Sequence, residues 1–292
     1  MNATLDSWIS GGSRRHVSGS SHELFVRQDG PVDGRPVTLF HGFPASSFDW
    51  AGVIPGLASS GYRVTTLDFL GFGSSDKPHP YRYSLIEQAS LVQAVWGDLG
   101  IDRTALVAHD YGVSVAQELL SRGPDRIESM AWLNGGMFPD LHRPSELQRR
   151  LTELSGDQAE EYFTETIYRE ALLGVLGRPV SDQRIGEMWV DFLRSQGTRV
   201  APALLRYMAE RREHAVRWSY AVESYSGPQT FIWGPNDPIS GAHVLPRIRD
   251  KAPSASINVL DGPPPVGHFP GVEAPELVGP LLIKHLHAAG QG

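Results

Sequence analysis

Residues 106–112 read LVAHDYG, and the stretch VSVAQELLSR follows at 113–122. The apolar residues that lead up to His109 are typical of a buried strand, and the pattern after Gly112 predicts a helix. Asp110 therefore lies in a sharp turn between a strand and a helix, where its side chain is presented at the end of the strand. Gly112 allows the backbone to turn tightly beside it. The stretch indicates both a fold class and a candidate reactive group, the carboxylate of Asp110.

The segments around this turn alternate between strand and helix patterns. The strand-like segments are HELFVRQ at 22–28, PVTLFHG at 36–42, YRVTTLDF at 62–69, RTALVAHD at 103–110 and IESMAWLNGG at 127–136. A helix is predicted at 84–100, with Ser84 and Glu87 as a capping box and Gly100 at its end. Strands that alternate with helices indicate an α/β protein with a doubly wound, mostly parallel sheet of about eight strands.

The pattern changes after the fifth of these strands. The sequence predicts helices and no strand over residues 137–226, and the clearest helix is SDQRIGEMWVDFLRS at 181–195. Strand patterns return with PQTFIWG at 228–234. Helical insertions at the carboxyl ends of parallel strands usually cover a ligand crevice. We therefore predict a core domain formed by residues 1–136 and 227–292, with residues 137–226 as a helical cap domain.

The composition excludes several functional classes. The chain of 292 residues has no cysteine, which excludes disulfides, thiolate catalysis and cysteine-based metal sites. A formal net charge of −7 argues against nucleic acid or an anionic membrane as partner. No apolar run approaches the roughly 18 residues of a membrane helix, and the first residues lack the apolar core of a signal peptide. We expect a cytoplasmic protein that needs no cofactor and no metal, while the oligomeric state stays open.

Three chemically active side chains fall just beyond predicted strands. Asp110 follows one strand, Asp237 lies in FIWGPNDP at 231–238, and His268 lies in GPPPVGHFP at 262–270. Because the carboxyl ends of parallel strands meet at one edge of a sheet, we expect these side chains to lie close together. A nucleophile, an acid and a histidine in this chain order are typical of a catalytic triad.

These residues and two further motifs resemble the α/β-hydrolase superfamily over nearly the whole chain. HGFP at 41–44 is similar to its oxyanion loop, and DFLGFGSSDKP at 68–78 is similar to the loop after its fourth strand. The aspartate at the nucleophile position resembles the branch of the epoxide hydrolases and haloalkane dehalogenases. Within that branch, HGFPASSFDW, LDFLGFGSSDKP, LNGGMFP and HRP look especially like the mesoderm-specific transcript proteins and their bacterial relatives. The resemblance implies an α/β-hydrolase fold with an inserted helical cap.

The carboxylate of Asp110 suits chemistry at saturated carbon. With an ordinary pKa of about 3.9 it is anionic at neutral pH and needs no base. Its attack on an epoxide or a haloalkane gives an alkyl ester, which water can hydrolyse at the carbonyl. We expect His268 to activate that water and Asp237 to hold the imidazole. The resemblance also implies an oxyanion hole formed by the backbone N–H groups of Phe43 and Tyr111.

The group that assists the leaving atom distinguishes the two activities. Dehalogenases of this branch hold the halide with a tryptophan directly after the nucleophile, often with an asparagine in the oxyanion loop or a second tryptophan. Tyr111 and Phe43 stand at those positions here, and neither carries an indole or amide N–H. Epoxide hydrolases instead protonate the ring oxygen with tyrosines of the cap, so the sequence favours epoxide hydrolysis.

The predicted cap offers several tyrosines. They are Tyr162, Tyr168, Tyr207, Tyr220 and Tyr225. We expect Tyr207 to be the proton donor, with Tyr220 as a further candidate. Trp189 is expected to lie in the core of the cap or along the substrate pocket. Epoxide hydrolases carry a tyrosine directly after a tryptophan on the last cap helix, whereas Ser219 follows Trp218 here.

Other polar residues are predicted to have structural roles. His41 and His109 flank the site and are expected to shape its loops by hydrogen bonding. His142 is expected at the surface or in a loop, and Ser114 inside the helix after Asp110. The charged run AERRE at 209–213 is predicted to be a solvated helix face.

The predicted function is hydrolysis of an epoxide to a vicinal diol through an ester on Asp110. Hydrolytic dehalogenation is the alternative with the same nucleophile. A ligand-binding or biosynthetic ring-opening protein on the same fold is an alternative of another class. The expected partner is a small, apolar epoxide or haloalkane.

Overall fold

A sheet of eight strands forms the centre of the protein in a computed structural model that describes residues 3–291. The strands are β1 (Ser13–His16), β2 (Glu23–Asp29), β3 (Arg35–Phe40), β4 (Tyr62–Leu67), β5 (Thr104–His109), β6 (Ile127–Leu133), β7 (Gln229–Trp233) and β8 (Ser256–Val259). Their order across the sheet is β1-β2-β4-β3-β5-β6-β7-β8. β2 pairs antiparallel with β1 and β4, and the other pairs are parallel. The predicted mostly parallel, eight-stranded sheet is confirmed.

The helices pack on the two faces of this sheet or on one another. They are α1 (Leu5–Ser10), α2 (Ile54–Ser59), α3 (Leu85–Asp98), α4 (Tyr111–Arg122), α5 (Glu146–Thr152), α6 (Gly156–Tyr162), α7 (Glu165–Leu173), α8 (Asp182–Leu193), α9 (Gly197–Leu204), α10 (Tyr207–Glu213), α11 (Ala215–Ser224), α12 (Leu245–Lys251), α13 (Pro270–Glu273) and α14 (Pro275–Ala289). Along β5, Leu106 and Ala108 belong to one buried apolar cluster, whereas Ala105 and Val107 belong to another. Successive side chains of a strand point to opposite faces, so each face of the sheet has its own core.

β1 is a strand that the side-chain pattern does not indicate. All four of its residues are exposed, so there is no alternation of apolar and polar positions. These residues form a strand because their backbone pairs with β2, with Ser13 opposite Val26 and His16 opposite Glu23. Such an edge strand leaves no trace in hydrophobic periodicity.

Seven helices, α5 to α11, lie between β6 and β7, and the described chain has no strand between these two. α5 begins with a capping box in which Ser145 and Gln148 bond each other's backbone N–H groups. We propose that residues 137–226 form the cap domain and that residues 1–136 and 227–292 form the core. Over the residues that the structure describes, no helix is long and apolar enough to cross a membrane.

The start of α3 differs from the predicted capping box. The Ser84 hydroxyl accepts a hydrogen bond from the N–H of Ile86, as a helix cap does. Glu87, however, accepts from the hydroxyl of Tyr81 at 2.5 Å and does not close the box. The carboxylate of Glu210 on α10 accepts hydrogen bonds from the Ser84 hydroxyl at 2.5 Å and from the backbone N–H of Leu85 at 2.7 Å. A residue of the helical insertion thus completes the cap of a core helix.

Candidate active site

Asp110 occupies the turn between β5 and α4 in a backbone conformation that is rare for residues with a side chain. Its φ is 41° and its ψ is −103°. Its N–H donates to the carbonyl of Asn134 at 2.9 Å, and the N–H of Gly112 donates to the carbonyl of His41 at 3.0 Å. A Cβ at Gly112 would lie 2.5 Å from the Cβ of Phe40, so only glycine fits there. Neighbouring loops therefore hold the strained turn in place.

The carboxylate of Asp110 accepts one backbone hydrogen bond. The N–H of Phe43 donates to Oδ2 at 2.9 Å. The N–H of Tyr111, predicted as the second oxyanion-hole donor, makes no hydrogen bond to this carboxylate within residues 3–291. Donors of this kind are placed for the tetrahedral oxyanion and not for the planar resting carboxylate. In the resting structure, only the Phe43 half of the predicted pair is formed.

The loops after β7 and β8 bring Asp237 and His268 to Asp110. Nδ1 of His268 lies 2.8 Å from Oδ2 of Asp237, and Nε2 lies 4.0 Å from Oδ2 of Asp110. The Asp237 carboxylate also accepts from the N–H of Ile239 at 2.7 Å and from the hydroxyl of Ser240 at 2.8 Å. Because Nδ1 donates to Asp237, Nε2 faces the predicted nucleophile. The structure thus brings the three predicted triad residues together.

Asn134 is a site residue that the sequence analysis did not identify. It directly follows β6, and its Nδ2 donates to Oδ2 of Asp237 at 3.0 Å. The same amide exchanges hydrogen bonds with the backbone of Gly234, at 2.8 Å and 2.7 Å. Asn134 therefore ties the end of β6 to the loop that carries Asp237. A polar residue directly after a buried strand was the available signal.

The loop that carries His268 is held by the buried carboxylate of Glu273. Its Oε2 accepts hydrogen bonds from the backbone N–H groups of Gly177 at 2.7 Å, Arg178 at 2.9 Å and Gly267 at 2.9 Å. Its Oε1 accepts one from the backbone N–H of Phe269 at 2.8 Å. The N–H of His268 itself donates to the carbonyl of Val175 at 2.9 Å. Gly177, Arg178 and Val175 lie between α7 and α8, so the helical insertion and the histidine loop are joined through these contacts.

The three triad residues shift one another's pKa. Burial raises the pKa of Asp110, but the charges of His268 and Arg211 outweigh burial and hold it below its ordinary range. Burial also raises the pKa of Asp237, yet the charge and hydrogen bond of His268 lower it overall. For His268, burial lowers the pKa, whereas the charge and hydrogen bond of Asp237 and the charge of Asp110 raise it to about 9. At neutral pH the resting site holds two carboxylates and an imidazolium.

The two flanking histidines make the loop contacts that were expected of them. Nε2 of His41 accepts from the N–H of Phe69 at 3.1 Å, and Nε2 of His109 donates to the carbonyl of His268 at 2.7 Å. Burial lowers the pKa of both rings to about 4. Both are therefore neutral at pH 7 and hold backbone in place.

Tyr207 is buried beside the predicted nucleophile. Its ring lies 5.3 Å from the ring of Tyr111 and 6.5 Å from that of Phe43. The amide of Gln148 donates to its hydroxyl oxygen at 2.8 Å, which leaves the tyrosine's own proton free for another acceptor. Burial and the charge of Asp110 raise the pKa of Tyr207, so it stays protonated.

Two residues predicted as substrate contacts do not line the cavity beside the triad, so the prediction for Tyr220 and the pocket alternative for Trp189 are corrected. Tyr220 is 68% exposed, because α11 packs on α4 through its other face, where Trp218 is buried. Trp189 lies in an aromatic cluster, with its ring 6.0 Å from Phe163 and 5.3 Å from Tyr168. It does not line the cavity beside the triad. Of the two places expected for Trp189, the structure shows the cap core.

A small cavity lies next to His268, between the helical insertion and the core. Its walls are mostly apolar, with Leu172 as an example, and Gln148 adds an amide. Tyr168 also lines it, but the hydroxyl of Tyr168 donates to the carbonyl of Pro44 at 3.4 Å. A small cavity with few polar groups suits a small, largely apolar ligand.

Arg211 is a site residue that the sequence analysis placed wrongly on a solvated face. Arg212 in the same charged run is exposed as predicted, but Arg211 is only 1% exposed. Its Nε donates to Oγ of Ser114 at 2.6 Å, and its Nη2 donates to the carbonyl of Asp110 at 3.0 Å. Nη2 also lies 3.7 Å from Oδ1 of Asp110. Tyr207 and Arg211 share a face of α10 at a spacing of four, which was the available signal.

His142 lies in a loop, which was one of its two predicted positions, but its ring is not at the surface. It is in the loop after β6, yet both ring nitrogens are buried and lack a hydrogen-bond partner among the described residues. Burial, followed by the charge of Arg211, lowers its pKa to about 4, so the ring is neutral. The charges of Asp110 and His268 also act on this ring, as expected beside the triad. Within residues 3–291 no group of three or more histidine or acidic side chains is arranged to hold a metal ion.

Comparison with known proteins gives a family and a fold. The sequence matches the alpha/beta hydrolase fold family over residues 35–275. It is 38% identical to the mesoderm-specific transcript homolog protein of Bos taurus, over 94% of this chain and 85% of that protein. It is 36% identical to LipZ of Mycobacterium tuberculosis, a protein named as a hydrolase, over 96% of each chain. The structure of haloalkane dehalogenase DbeA from Bradyrhizobium elkani has a TM-score of 0.81 at 20% identity, covering 96% of this chain and 98% of that one.

Proposed function

The chain belongs to the α/β hydrolase fold family, and from that premise we propose that it hydrolyses epoxides to vicinal diols through an alkyl ester on Asp110. In this proposal His268 is the base and Asp237 is its partner. The N–H of Phe43 stabilises the oxyanion, and Tyr207 protonates the epoxide oxygen. The substrate is small and largely apolar, in keeping with the cavity beside the triad.

The environment of Tyr207 is the observation that carries the proposal. Opening an epoxide leaves an alkoxide, which needs a proton donor at the moment the ring opens. The hydroxyl of Tyr207 receives its hydrogen bond from Gln148, so its own proton is available. Tyr168, the tyrosine that lines the cavity, already donates to the carbonyl of Pro44.

In the first step Oδ1 of Asp110 attacks a ring carbon, because Oδ2 is held by Phe43. The ester bond forms as the carbon–oxygen bond of the epoxide breaks, and the ring oxygen takes the proton of Tyr207. The ester carries no charge, so the pKa of His268 falls from its resting value of about 9. The imidazolium then returns a proton to the tyrosine oxygen. The result is a neutral imidazole beside an alkyl ester.

In the second step His268 takes a proton from water, and the resulting hydroxide attacks the carbonyl carbon of the ester. The N–H of Phe43 stabilises the tetrahedral oxyanion. The intermediate expels the second alkoxide of the diol, which takes the proton of the new carboxyl group. Asp110 is again a carboxylate and His268 an imidazolium, as in the resting site.

Hydrolytic dehalogenation is the second candidate, and one observation favours it. Arg211 supplies a buried cation beside Asp110, and its Nη1 has no partner among residues 3–291. A halide leaving group is an anion that needs such a donor but no proton. Against this candidate, Tyr111 and Phe43 offer no indole or amide N–H at the positions that usually hold the halide.

Trapping the covalent ester tests the proposal. In a His268→Gln variant the first step can proceed while the second cannot. We expect intact-protein mass spectrometry after incubation with a panel of epoxides to show a gain equal to the whole epoxide. Adding Asp110→Ala should abolish the gain, and adding Asp140→Ala, at an exposed aspartate, should leave it unchanged.

The mass of the adduct separates the candidates. A gain from haloalkanes alone, equal to the alkyl group without the halogen, would favour dehalogenation over epoxide opening. No adduct from either panel would refute the ester mechanism, and a ligand-binding role on the same fold would then be favoured.

A further inference from the structure

Arg211 places a positive charge beside the predicted nucleophile without using all of its N–H donors. Nε and Nη2 bond Ser114 and the carbonyl of Asp110, which joins α10 to α4. Nη1 is buried and has no hydrogen-bond partner in the part of the chain that the structure describes. The guanidinium carbon lies 4.3 Å from the ring centroid of Tyr207, the proposed proton donor. A purely structural clamp would need only Nε and Nη2, so Nη1 calls for another explanation.

The unpartnered donor lies in a tightly packed part of the site. A Cβ at Gly136 would come within 2.3 Å of Nη1, so the loop after β6 fits closely against the guanidinium. His142 lies farther along the same loop, and its two ring nitrogens are also buried and without partners among residues 3–291. A neutral imidazole has one N–H donor. Buried donors left without acceptors are costly, so these groups favour an additional acceptor close to them.

The charge of Arg211 matters most after the ester has formed. In the resting site it is balanced by Oδ1 of Asp110 at 3.7 Å. Esterification removes that negative charge, and the electron pair of the broken bond goes to the departing atom. A halide leaves as an anion, whereas the ring oxygen of an epoxide passes its negative charge to the oxygen of Tyr207 when it takes the tyrosine proton. The total charge is unchanged until His268 returns a proton to Tyr207, but the negative charge no longer lies on Asp110. Because an unbalanced buried cation is unfavourable, Arg211 favours an anion close to it at this stage.

We propose that Arg211 and His142 form a binding site for the group displaced from the substrate, which is either a halide ion or the ring oxygen of an epoxide, whose developing negative charge they stabilise until Tyr207 protonates it. This inference rests on the proposed ester on Asp110 and deepens it. The site selects neutral substrates, because a substrate with its own negative charge would add to the charge of Asp110. It also places the selection of the leaving group on the cap rather than on the residues next to the nucleophile.

Bromide binding without turnover tests this site. The experiment uses the full chain with His268→Gln, which removes the base and its charge. In that protein the Asp110 carboxylate competes with bromide for Arg211. Adding Asp110→Asn replaces the carboxylate by a neutral group of nearly the same shape, as in the ester. We expect isothermal titration calorimetry with sodium bromide to show an affinity at least about tenfold higher in the doubly substituted protein.

Further substitutions in the doubly substituted protein test whether Arg211 and His142 cause the increase in bromide affinity. Arg211→Met should abolish it, and His142→Phe should lower the bromide affinity by about threefold or more. Arg212→Met is the matched control, because the neighbouring side chain is exposed, and it should leave the affinity unchanged. Thermal melting checks that each variant folds. If Arg211→Met does not fold, Arg211→Lys keeps the positive charge but lacks the paired N–H donors of the guanidinium, and it should weaken bromide binding by about threefold or more.

Three results would overturn the inference. They are an equal bromide affinity with and without Asp110→Asn, a gain that survives Arg211→Met, and an affinity unchanged by Arg211→Lys. None of them involves a substrate, so an adduct on Asp110 without this bromide site would leave the proposed function standing. A missing adduct, by contrast, would remove the proposed function whatever the bromide affinity.

Discussion

At the scale of single residues, the proposed reaction requires His268 to change from an acid into a base during each turnover. Asp237 and Asp110 both raise its pKa, so the resting imidazole is protonated at neutral pH. Of these two carboxylates, only that of Asp110 loses its charge in the proposed reaction, because Asp237 stays ionised. The base therefore becomes available when the ester appears, and activated water is not produced before there is an ester to attack.

The pKa of His268 tests this coupling. We expect Asp110→Ala to lower it from about 9 toward the ordinary histidine value of about 6.5, because a negative charge near Nε2 is lost. Asp237→Asn should lower it further, since Asp237 contributes both a charge and a hydrogen bond. The measurement is an NMR titration of the imidazole, with Asp140→Ala as the exposed control. A pKa unaffected by Asp110→Ala would show that the two groups titrate independently.

Tyr207 gives a second prediction at this scale. In the His268→Gln protein, Tyr207→Phe should slow adduct formation with epoxides by about 100-fold or more, because the alkoxide loses its proton donor. Adduct formation with haloalkanes should change little, since a halide needs no proton. Rates of mass gain measure both, and Tyr220→Phe on the exposed face of α11 is the matched control. An equal loss with both substrate classes would mean that Tyr207 shapes the site instead.

At the scale of elements, Glu273 acts as a positioning residue for the histidine loop. Its carboxylate accepts N–H groups from both sides of His268, at Gly267 and Phe269. It accepts two more from Gly177 and Arg178 in the helical insertion. A charged acceptor bound by several N–H donors holds a loop more firmly than single neutral hydrogen bonds do.

Replacing Glu273 by Gln tests this role. The amide leaves fewer acceptor sites for the N–H groups that meet at Oε2, so the imidazole loses its exact placement. We expect hydrolysis of the ester to slow by about tenfold, while formation of the ester changes little. Single-turnover kinetics separate the two steps, and the exposed Glu276→Gln is the matched control. Equal slowing of both steps would instead indicate a general loss of structure.

The sheet made the triad predictable from the sequence. Strands of a parallel sheet end at one edge, so Asp110, Asp237 and His268 had to converge whatever path the loops take. The backbone geometry around them was not predictable in the same way. Whether the N–H groups of Phe43 and Tyr111 reach the carboxylate depends on loop conformations that no periodic pattern records.

The helices over the site follow no comparable rule, because the buried face of each is set by its packing. Tyr207 was predicted from its helix face, but Tyr220 points outward because the opposite face of α11 carries the buried Trp218. Arg211 was missed because a run of charges is usually solvated. Its burial depends on a counter-charge from Asp110, which is distant in the sequence.

At the scale of the whole molecule, ionisable groups are buried where the helical insertion meets the core. Burial raises the pKa of Asp49 to about 8 and that of Asp191 on α8 to about 6. It lowers the pKa of Lys77 to about 8. Neither carboxylate oxygen of Asp49 has a hydrogen-bond partner in the part of the chain that the structure describes. Stability should therefore depend on pH through groups outside the triad.

Asp49→Asn should stabilise the protein increasingly as the pH rises. The unfolded aspartate ionises near pH 3.8, whereas the folded one stays protonated to about pH 8. Ionisation therefore favours unfolding over that window, and the amide removes this penalty. Urea unfolding should show little gain near pH 4 and a gain on the order of 5 kcal/mol at pH 8. The exposed Asp102→Asn is the control. An increase in the free energy of unfolding that does not depend on pH would contradict the raised pKa of Asp49.

The hydrogen bond from the N–H of His268 to the carbonyl of Val175 has a consequence for kinetics. Val175 lies in the helical insertion, so any movement of that segment away from the core removes a backbone anchor of the base. In the proposed mechanism an alkylated enzyme whose insertion has moved cannot lose its substrate, because the bond is covalent, and hydrolysis of the ester would stop until the insertion returns. The lifetime of the proposed ester would then depend on how often this segment is away from the core as well as on the chemical barrier.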